Sequence, residues 1–146
     1  MRTFYHLAYG SNLHPLRLAE RVTSAELLGT PCLDGWQLSF HKRSKDGSAK
    51  CDLVANNTSS TTCHTALYQL NESDVPILDP IEGLGNGYLK AQMVVNLRGE
   101  KIECFTYQAQ ANHIDKHLKP YHWYKEFVLI GAKYLEFPEE YFRTIE

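Results

Sequence analysis

The sequence lacks the short motifs that identify many nucleotide-dependent, hydrolytic and metal-dependent enzymes. It contains no G-x-x-x-x-G-K-[ST] loop, no G-x-S-x-G elbow and no C-x-x-C pair. The four cysteines lie far apart, which fits neither a zinc knuckle nor a short disulfide framework, so we interpret them as buried free thiols. His113 and His117 have the spacing of two metal ligands, but the glutamate of H-E-x-x-H is missing. We therefore predict no metal site.

An excess of positive charge and a long apolar run are also absent. Lysine and arginine total 15 against 17 acidic residues, which gives a net charge of −2 and makes a nucleic-acid partner a poor hypothesis. No apolar run approaches the roughly 18 residues needed to span a bilayer, and no signal-peptide core follows Met1. These absences predict a cytoplasmic protein with no membrane partner that acts on a small molecule.

What the chain does contain is enough for one domain. With 146 residues and 43% hydrophobic composition, we expect a single domain over residues 1–146. Short strand-like segments follow one another with little room for long crossover helices, which favours antiparallel pairing. The predicted fold class is α+β: a compact, largely antiparallel β-barrel or curved sheet of about six to seven strands, with short helices packed around it.

Individual segments carry this prediction. Thr3–Ala8 is typical of a buried strand, and Pro15 suits the first turn of a helix that continues through Arg21. The clearest hairpin joins Tyr88–Leu97 to residues 101–107 through Arg98-Gly99-Glu100. Helices are predicted at residues 121–132 and 138–144.

The middle of the chain is harder to interpret. Residues 25–32 and 36–40 are strand candidates on either side of Leu33-Asp34-Gly35, and Asp-Gly favours a hairpin between them. Residues 41–50 show no apolar periodicity and are interpreted as a solvated loop rather than a binding patch. The polar residues 56–62 are expected to connect the strands at 52–55 and 63–70.

Three short stretches have residues suited to chemistry. The first is YGSN, in which Gly10, Ser11 and Asn12 end the first strand just before a helix. Such a turn can direct several backbone N–H groups at one anion, and Gly10 permits a close approach or a positive φ. The alternative, an ordinary strand-to-helix turn, is the commoner meaning of this pattern alone.

The second stretch is LDPIEGLGNGY, in which Glu82 stands between an apolar helix end and a glycine-rich turn. Partial desolvation raises the pKa of a carboxyl group and suits it for proton transfer near neutral pH. A solvated helix end is the commoner place for glutamate. The glycines have G-x-G-x-G spacing and precede a strand, so a dinucleotide site does not follow.

The third stretch is YHWYKEFVLIGA, whose Tyr124, Val128 and Gly131-Ala132 recur at helical spacing. This spacing predicts a helix packed on the sheet, with the small pair allowing close contact. Tyr124 differs from an aliphatic core residue, because a buried hydroxyl needs a partner and a ligand can serve as one.

Taken in order, YGSNL at residues 9–13, LDPIEG at 78–83 followed by Tyr88, and YKEFVLIGA at 124–132 resemble the gamma-glutamylcyclotransferase family. The resemblance extends to LEFPEEY at residues 135–141 and so covers most of the chain. It implies a compact mixed β-barrel and an enzyme that releases 5-oxoproline and a free amine from a γ-glutamyl amino acid or γ-glutamyl amine, without a cofactor.

The resemblance also implies site residues. Glu82 is the expected acid/base. The expected substrate-binding residues are Tyr9, Gly10, Ser11, Asn12, Leu13, Tyr88 and Tyr124. A non-catalytic carboxylate-binding or scaffold protein that retains the fold is the alternative; retention of Glu82 disfavours it, since an anion binder has no use for a carboxylate in its site.

Overall fold

In the computed structural model, residues 2–56 and 61–146 are described, and they form nine strands and four α-helices. The strands are β1 (Thr3–Ala8), β2 (Glu26–Gly29), β3 (Cys32–Asp34), β4 (Trp36–Arg43), β5 (Ala49–Ala55), β6 (Thr62–His64), β7 (Ala66–Asn71), β8 (Tyr88–Leu97) and β9 (Glu100–Ala109). The helices are α1 (Pro15–Arg21), α2 (Val75–Ile81), α3 (His122–Tyr134) and α4 (Glu139–Ile145). None of the described helices is long and apolar enough to cross a membrane.

A five-stranded sheet with the order β2-β7-β1-β9-β8 forms the centre of the molecule, and β3-β6 and β4-β5 form two smaller sheets. Neighbouring strands are antiparallel except β1 and β9, which run in parallel. The predicted fold class, an α+β protein with a largely antiparallel sheet, is confirmed, with nine strands in the described residues where about six to seven were expected. Because β1 and β9 are parallel, their carboxyl ends lie at the same edge of the sheet.

Local sequence explains the best-predicted elements. β1 has the predicted bounds, and α1 begins at Pro15, with the side chain of His14 accepting the N–H of Leu16 at 3.1 Å. The β8–β9 hairpin is also confirmed. Its two-residue turn places Arg98 and Gly99 at positive φ, as a tight hairpin turn requires.

The predicted hairpin between residues 25–32 and 36–40 is wrong. β2 pairs with β7, and β4 pairs with β5, so these two segments do not meet. Gly35 does adopt a positive φ of 81°, but the bend leads from β3 into β4 and so transfers the chain between the two small sheets. A turn motif determines the local bend and leaves the choice of partner strand to longer-range packing.

The interpretation of residues 41–50 as a solvated loop is also wrong. β4 continues to Arg43 and β5 begins at Ala49, so the two strands form a ribbon with a turn of only five residues, 44–48. Asp46 closes the turn, because its Oδ1 accepts the backbone N–H of Ser48 at 2.9 Å. Residues 57–60 of the predicted 56–62 connection lie outside the described residues.

The C-terminal helices pack as the sequence predicts. Tyr124, Val128, Gly131 and Ala132 face inward along α3. A Cβ atom on Gly131 would lie 2.7 Å from the Cβ of Leu13, so glycine is what lets α3 approach the segment that follows β1. Of the four cysteines, three are buried as expected, and Cys32 is exposed.

Candidate active site

A small cavity opens at the sheet edge where β1 and β9 end. Its volume is about 40 Å³, and residues from β1, β5, β9, α3 and the segment after α2 contribute to its wall. The predicted site residues in this wall are Tyr9, Gly10, Ser11, Asn12, Glu82, Tyr88 and Tyr124. The fold therefore brings together seven residues that the sequence spreads over more than 100 positions.

The loop after β1 supplies backbone donors to this cavity. Leu13 N–H donates to Gly10 O at 3.2 Å and closes a turn over Ser11 and Asn12. The N–H groups of Ser11 and Asn12 donate no hydrogen bond to any other described residue. Unpaired N–H groups beside a cavity favour an anionic ligand such as a carboxylate.

Gly10 is required for close packing and not for its backbone angle. Positive φ occurs at other glycines, so that part of the expectation for Gly10 is wrong. A Cβ atom on Gly10 would lie 2.8 Å from Sγ and 2.9 Å from Cβ of Cys51 on β5. The small residue thus lets the loop after β1 lie directly against the β4–β5 ribbon.

This packing predicts that Gly10→Ala destabilises the fold by about 1–3 kcal/mol, the usual cost of overpacking a core. Thermal or denaturant unfolding measures the change. Cys51→Ala and the double variant complete a thermodynamic cycle. Because removing Sγ relieves part of the clash, the double variant should lose less stability than the two single changes combined. Strictly additive losses would contradict the proposed contact.

Glu82 follows α2 directly and is aimed at the same cavity. Its N–H continues the helix by donating to Leu78 O at 3.0 Å, and the chain then turns sharply through Gly83 and Gly85, both at positive φ. The side-chain Nδ2 of Asn12 donates to Glu82 Oε1, which joins the second stretch to the first. The Oδ1 atom of Asn12 is buried without a hydrogen-bond partner among the described residues.

The environment of Glu82 suits it for proton transfer. Burial of the carboxyl group raises its pKa, and the nearby positive charges of Arg21 and Arg17 oppose this shift without cancelling it. A glutamate with a raised pKa exchanges protons more readily near neutral pH than an ordinary surface glutamate does. Glu82 therefore fits an acid/base role.

Two tyrosine hydroxyls hold β5 beside the cavity. Tyr88 donates to Cys51 O at 2.5 Å, and Cys51 N–H donates to the hydroxyl oxygen of Tyr124 at 3.1 Å. Burial raises the pKa of both tyrosines well above the usual value, so both are neutral donors. Since the Tyr124 hydroxyl accepts the N–H, its own proton can be donated to a ligand in the cavity.

Tyr9 and Leu13 have different positions relative to this cavity. The Tyr9 ring lies in its wall, and its hydroxyl donates to Tyr107 O at 2.5 Å, which ties the end of β1 to β9. Leu13 is not among the residues that line the cavity. Its side chain is completely buried in the core, and its carbonyl accepts the hydroxyl of Tyr68 at 2.7 Å. Leu13 thus anchors the loop to the core.

A wider cleft of about 400 Å³ adjoins the cavity and shares Ser11, Glu82, Tyr88 and Tyr124 with it. Cationic side chains and the Trp123 ring line much of this cleft. They include Lys42, Lys45 and Lys50, so residues 41–50, which were interpreted from the sequence as a solvated loop, form one side of it.

Sequence reasoning did not identify several residues of the cavity wall. His6, Cys51 and Tyr107 lie there because of strand pairing and crossing, which leave no local motif. Of these three, His6 is the one whose charge is altered by the fold. Burial lowers the pKa of His6 to about 4, so the ring is neutral at physiological pH. Its position, two residues before the end of an apolar strand, was the only available signal.

The fold of the chain is also found in solved structures of gamma-glutamyl cyclotransferases. A solved structure named gamma-glutamyl cyclotransferase superposes on the chain with a TM-score of 0.86 and 24% sequence identity, over 99% of this chain and 86% of that one. A second, of a glutathione-specific gamma-glutamyl cyclotransferase from yeast, superposes with a TM-score of 0.75 at 10% identity, over 99% and 94% of the two chains. These likenesses define the fold alone.

The chain belongs to the AIG2-like family, whose family model matches residues 62–145. It is also 28% identical over 144 residues to a gamma-glutamylcyclotransferase from Bos taurus, covering 95% of this chain and 75% of that protein. The resemblance inferred from the three sequence stretches is thus confirmed.

Proposed function

We propose that the protein is a gamma-glutamylcyclotransferase-type enzyme, which converts a γ-glutamyl amino acid or γ-glutamyl amine to 5-oxoproline and the free amine. The observation that carries this proposal is the contact between Asn12 and Glu82. It joins a desolvated carboxyl group to a loop with free N–H donors. The curated relatives named gamma-glutamylcyclotransferase support the same reaction.

The glutamyl part of the substrate matches the polar groups of the inner cavity. The N–H groups of Ser11 and Asn12 suit its α-carboxylate, and the unpartnered Oδ1 of Asn12 suits its α-ammonium group. Both of these groups are bonded to the α-carbon, so binding them fixes the position of the nucleophile. The glutamyl side chain then folds back so that its γ-carbonyl meets the α-amine. Such intramolecular attack has a large entropic advantage over attack by a second molecule.

Glu82 moves the protons in this scheme. Its carboxylate accepts a proton from the α-ammonium group, and the freed amine attacks the γ-carbonyl carbon. The tetrahedral oxyanion needs donors, and the Tyr124 hydroxyl is one in reach of the cavity. The bond to the leaving amine then breaks while the protonated Glu82 returns its proton to that nitrogen. The ring nitrogen loses its second proton to the same carboxylate as the lactam forms, and that proton passes to the departing amine. No cofactor takes part.

The direct test is to incubate the purified protein with γ-glutamyl-alanine and to measure 5-oxoproline and free alanine by mass spectrometry. We expect the two products in equal amounts. A parallel titration with 5-oxoproline measures binding in the absence of reaction. Binding of 5-oxoproline without turnover of any γ-glutamyl donor would instead support the non-catalytic carboxylate-binding protein.

A further inference from the structure

The outer cleft has a strong excess of positive charge. Five cationic side chains line it, and Glu82 is the one carboxylate among its lining residues within the described chain. The whole chain carries a net charge of −2, so this concentration is local and does not reflect composition. The cations are Arg17, Arg21, Lys42, Lys45 and Lys50.

The two arginines lie on the side of the cleft next to Glu82. Both lower the pKa of Glu82 by their charge, so they act partly as its counterions. Arg17 is further held by stacking, with its guanidinium carbon 3.9 Å from the centre of the Phe127 ring. The three lysines belong to the β4–β5 ribbon on the other side, away from that pairing.

Lys42 is the most unusual of these lysines. The residue is only 7% exposed, yet it forms no salt bridge with any described carboxylate. The ammonium group instead lies 4.7 Å from the centre of the Tyr88 ring and packs against Gly87. Burial and the charge of Lys50 both lower the pKa of Lys42. A buried cation of this kind is stabilised when an anion binds beside it.

Lys50 is held toward the cleft by aromatic rings. Its ammonium group lies 4.7 Å from the centre of the Trp123 ring and 4.5 Å from that of Tyr124. Its carboxylate neighbour is Asp46, at 3.4 Å and on the exposed turn of the ribbon. An exposed ion pair at that distance contributes little and leaves Lys50 able to bind a second anion.

We propose that this cleft binds leaving amines with at least two negative charges, so that the preferred donors are γ-glutamyl derivatives of acidic amino acids. This inference rests on the proposed function. A leaving amino acid with a neutral side chain brings one carboxylate into a cleft that offers Lys42, Lys45 and Lys50. An acidic side chain adds the second charge, and the Trp123 ring covers its aliphatic part.

The test compares γ-glutamyl-glutamate with γ-glutamyl-glutamine, which have nearly the same shape and differ by one charge. We expect kcat/KM for 5-oxoproline release to be about 10-fold higher for the glutamate donor at low salt, since a charged hydrogen bond is worth about that much. Added sodium chloride should reduce the ratio, because the charges at the cleft mouth are screened.

Matched lysine variants locate the effect. Lys42→Gln should bring the ratio of kcat/KM for γ-glutamyl-glutamate to kcat/KM for γ-glutamyl-glutamine close to one. Because Lys42 is buried and its variant can fold poorly, Lys45→Gln is a second variant at an exposed position, where we expect a partial loss of the ratio. Lys101→Gln is the control: Lys101 is exposed on β9 and does not line the cleft, so its ratio should match that of the unchanged protein.

The possible failures are distinguishable. Equal kcat/KM for the two donors, or an unchanged ratio in both the Lys42 and Lys45 variants, would overturn the charge preference while 5-oxoproline release still supported the cyclotransferase. Absence of 5-oxoproline from γ-glutamyl-alanine, -glutamine and -glutamate alike would overturn the proposed function, and the inference built on it would fail with it.

Discussion

Glu82→Gln is expected to lower kcat/KM for 5-oxoproline release by about 10²–10⁴-fold, the usual contribution of a positioned acid/base. Glutamine keeps the shape of the side chain and an oxygen that can accept the Nδ2–H of Asn12. The change removes the carboxyl group that accepts the proton of the α-ammonium group and later returns it. Initial rates with γ-glutamyl-alanine measure the loss, and titration with 5-oxoproline should show that binding survives.

The pH dependence of the unchanged protein gives the same prediction in another form. In the proposed scheme, the carboxylate form of Glu82 takes the proton from the substrate, so activity should be lost as pH falls through its pKa. Because burial raises that pKa, the acidic limb of kcat/KM should lie above the usual range of a glutamate side chain. The residual activity of Glu82→Gln should lack this limb.

The control for Glu82→Gln is Glu103→Gln, the same change at an exposed position on β9 outside the cavity. It should leave kcat/KM unaltered. Stability separates chemistry from folding: replacing a desolvated carboxylate with a neutral amide should not lower the midpoint of thermal unfolding. If a folded Glu82→Gln protein releases 5-oxoproline at the parent rate, Glu82 is not the acid/base.

The residues of the candidate site that the sequence pointed to are those whose position depends on local chain geometry. Gly10-Ser11-Asn12 ends β1, and Glu82 ends α2 before a glycine turn, so each is visible as a strand or helix terminus. The contact between Asn12 and Glu82, which are 70 positions apart, required the fold itself.

The residues of the cavity and cleft that have no local sequence signal are brought there by strand pairing. Cys51 reaches the cavity because the β4–β5 ribbon crosses the ends of β1 and β9, and the same crossing brings in Lys42 and Lys50. In the sequence, these lysines stand in a polar stretch without apolar periodicity, which is typical of a solvated loop. Gln108 and Asp52 fix the crossing through bonds between β9 and β5 at 2.8 Å, and neither residue has a local signal for that role.

The same reasoning explains the false hairpin. Asp34-Gly35 produces the bend that such a pair usually produces, with Gly35 at positive φ. The partner of β4 is nevertheless β5, with Leu38 opposite Leu53. Partner choice reflects the summed packing of side chains on both strands, which a turn dipeptide does not encode.

Blocking the α-amine of the donor is expected to abolish product formation. In cyclotransfer, the nucleophile is the α-amine of the substrate itself, so N-acetyl-γ-glutamyl-alanine has no group that can attack the γ-carbonyl. Its acetyl group also removes the ammonium charge that suits the free Oδ1 of Asn12, so binding should weaken as well. The two donors are incubated with the protein in parallel, and mass spectrometry measures 5-oxoproline and alanine. Both should form from γ-glutamyl-alanine, and neither should form from the acetylated donor.

Simple hydrolysis by water activated at Glu82 predicts the opposite outcome. A hydrolase would still release alanine from the acetylated donor, with N-acetylglutamate as the second product, and would yield glutamate from the unblocked one. Cyclotransfer is favoured over this route, because its nucleophile is tethered to the carbonyl that it attacks. A tethered amine has an entropic advantage that a free water lacks. Glutamate as the first product, or turnover of the acetylated donor, would exclude cyclotransfer and leave Glu82 as a hydrolytic base.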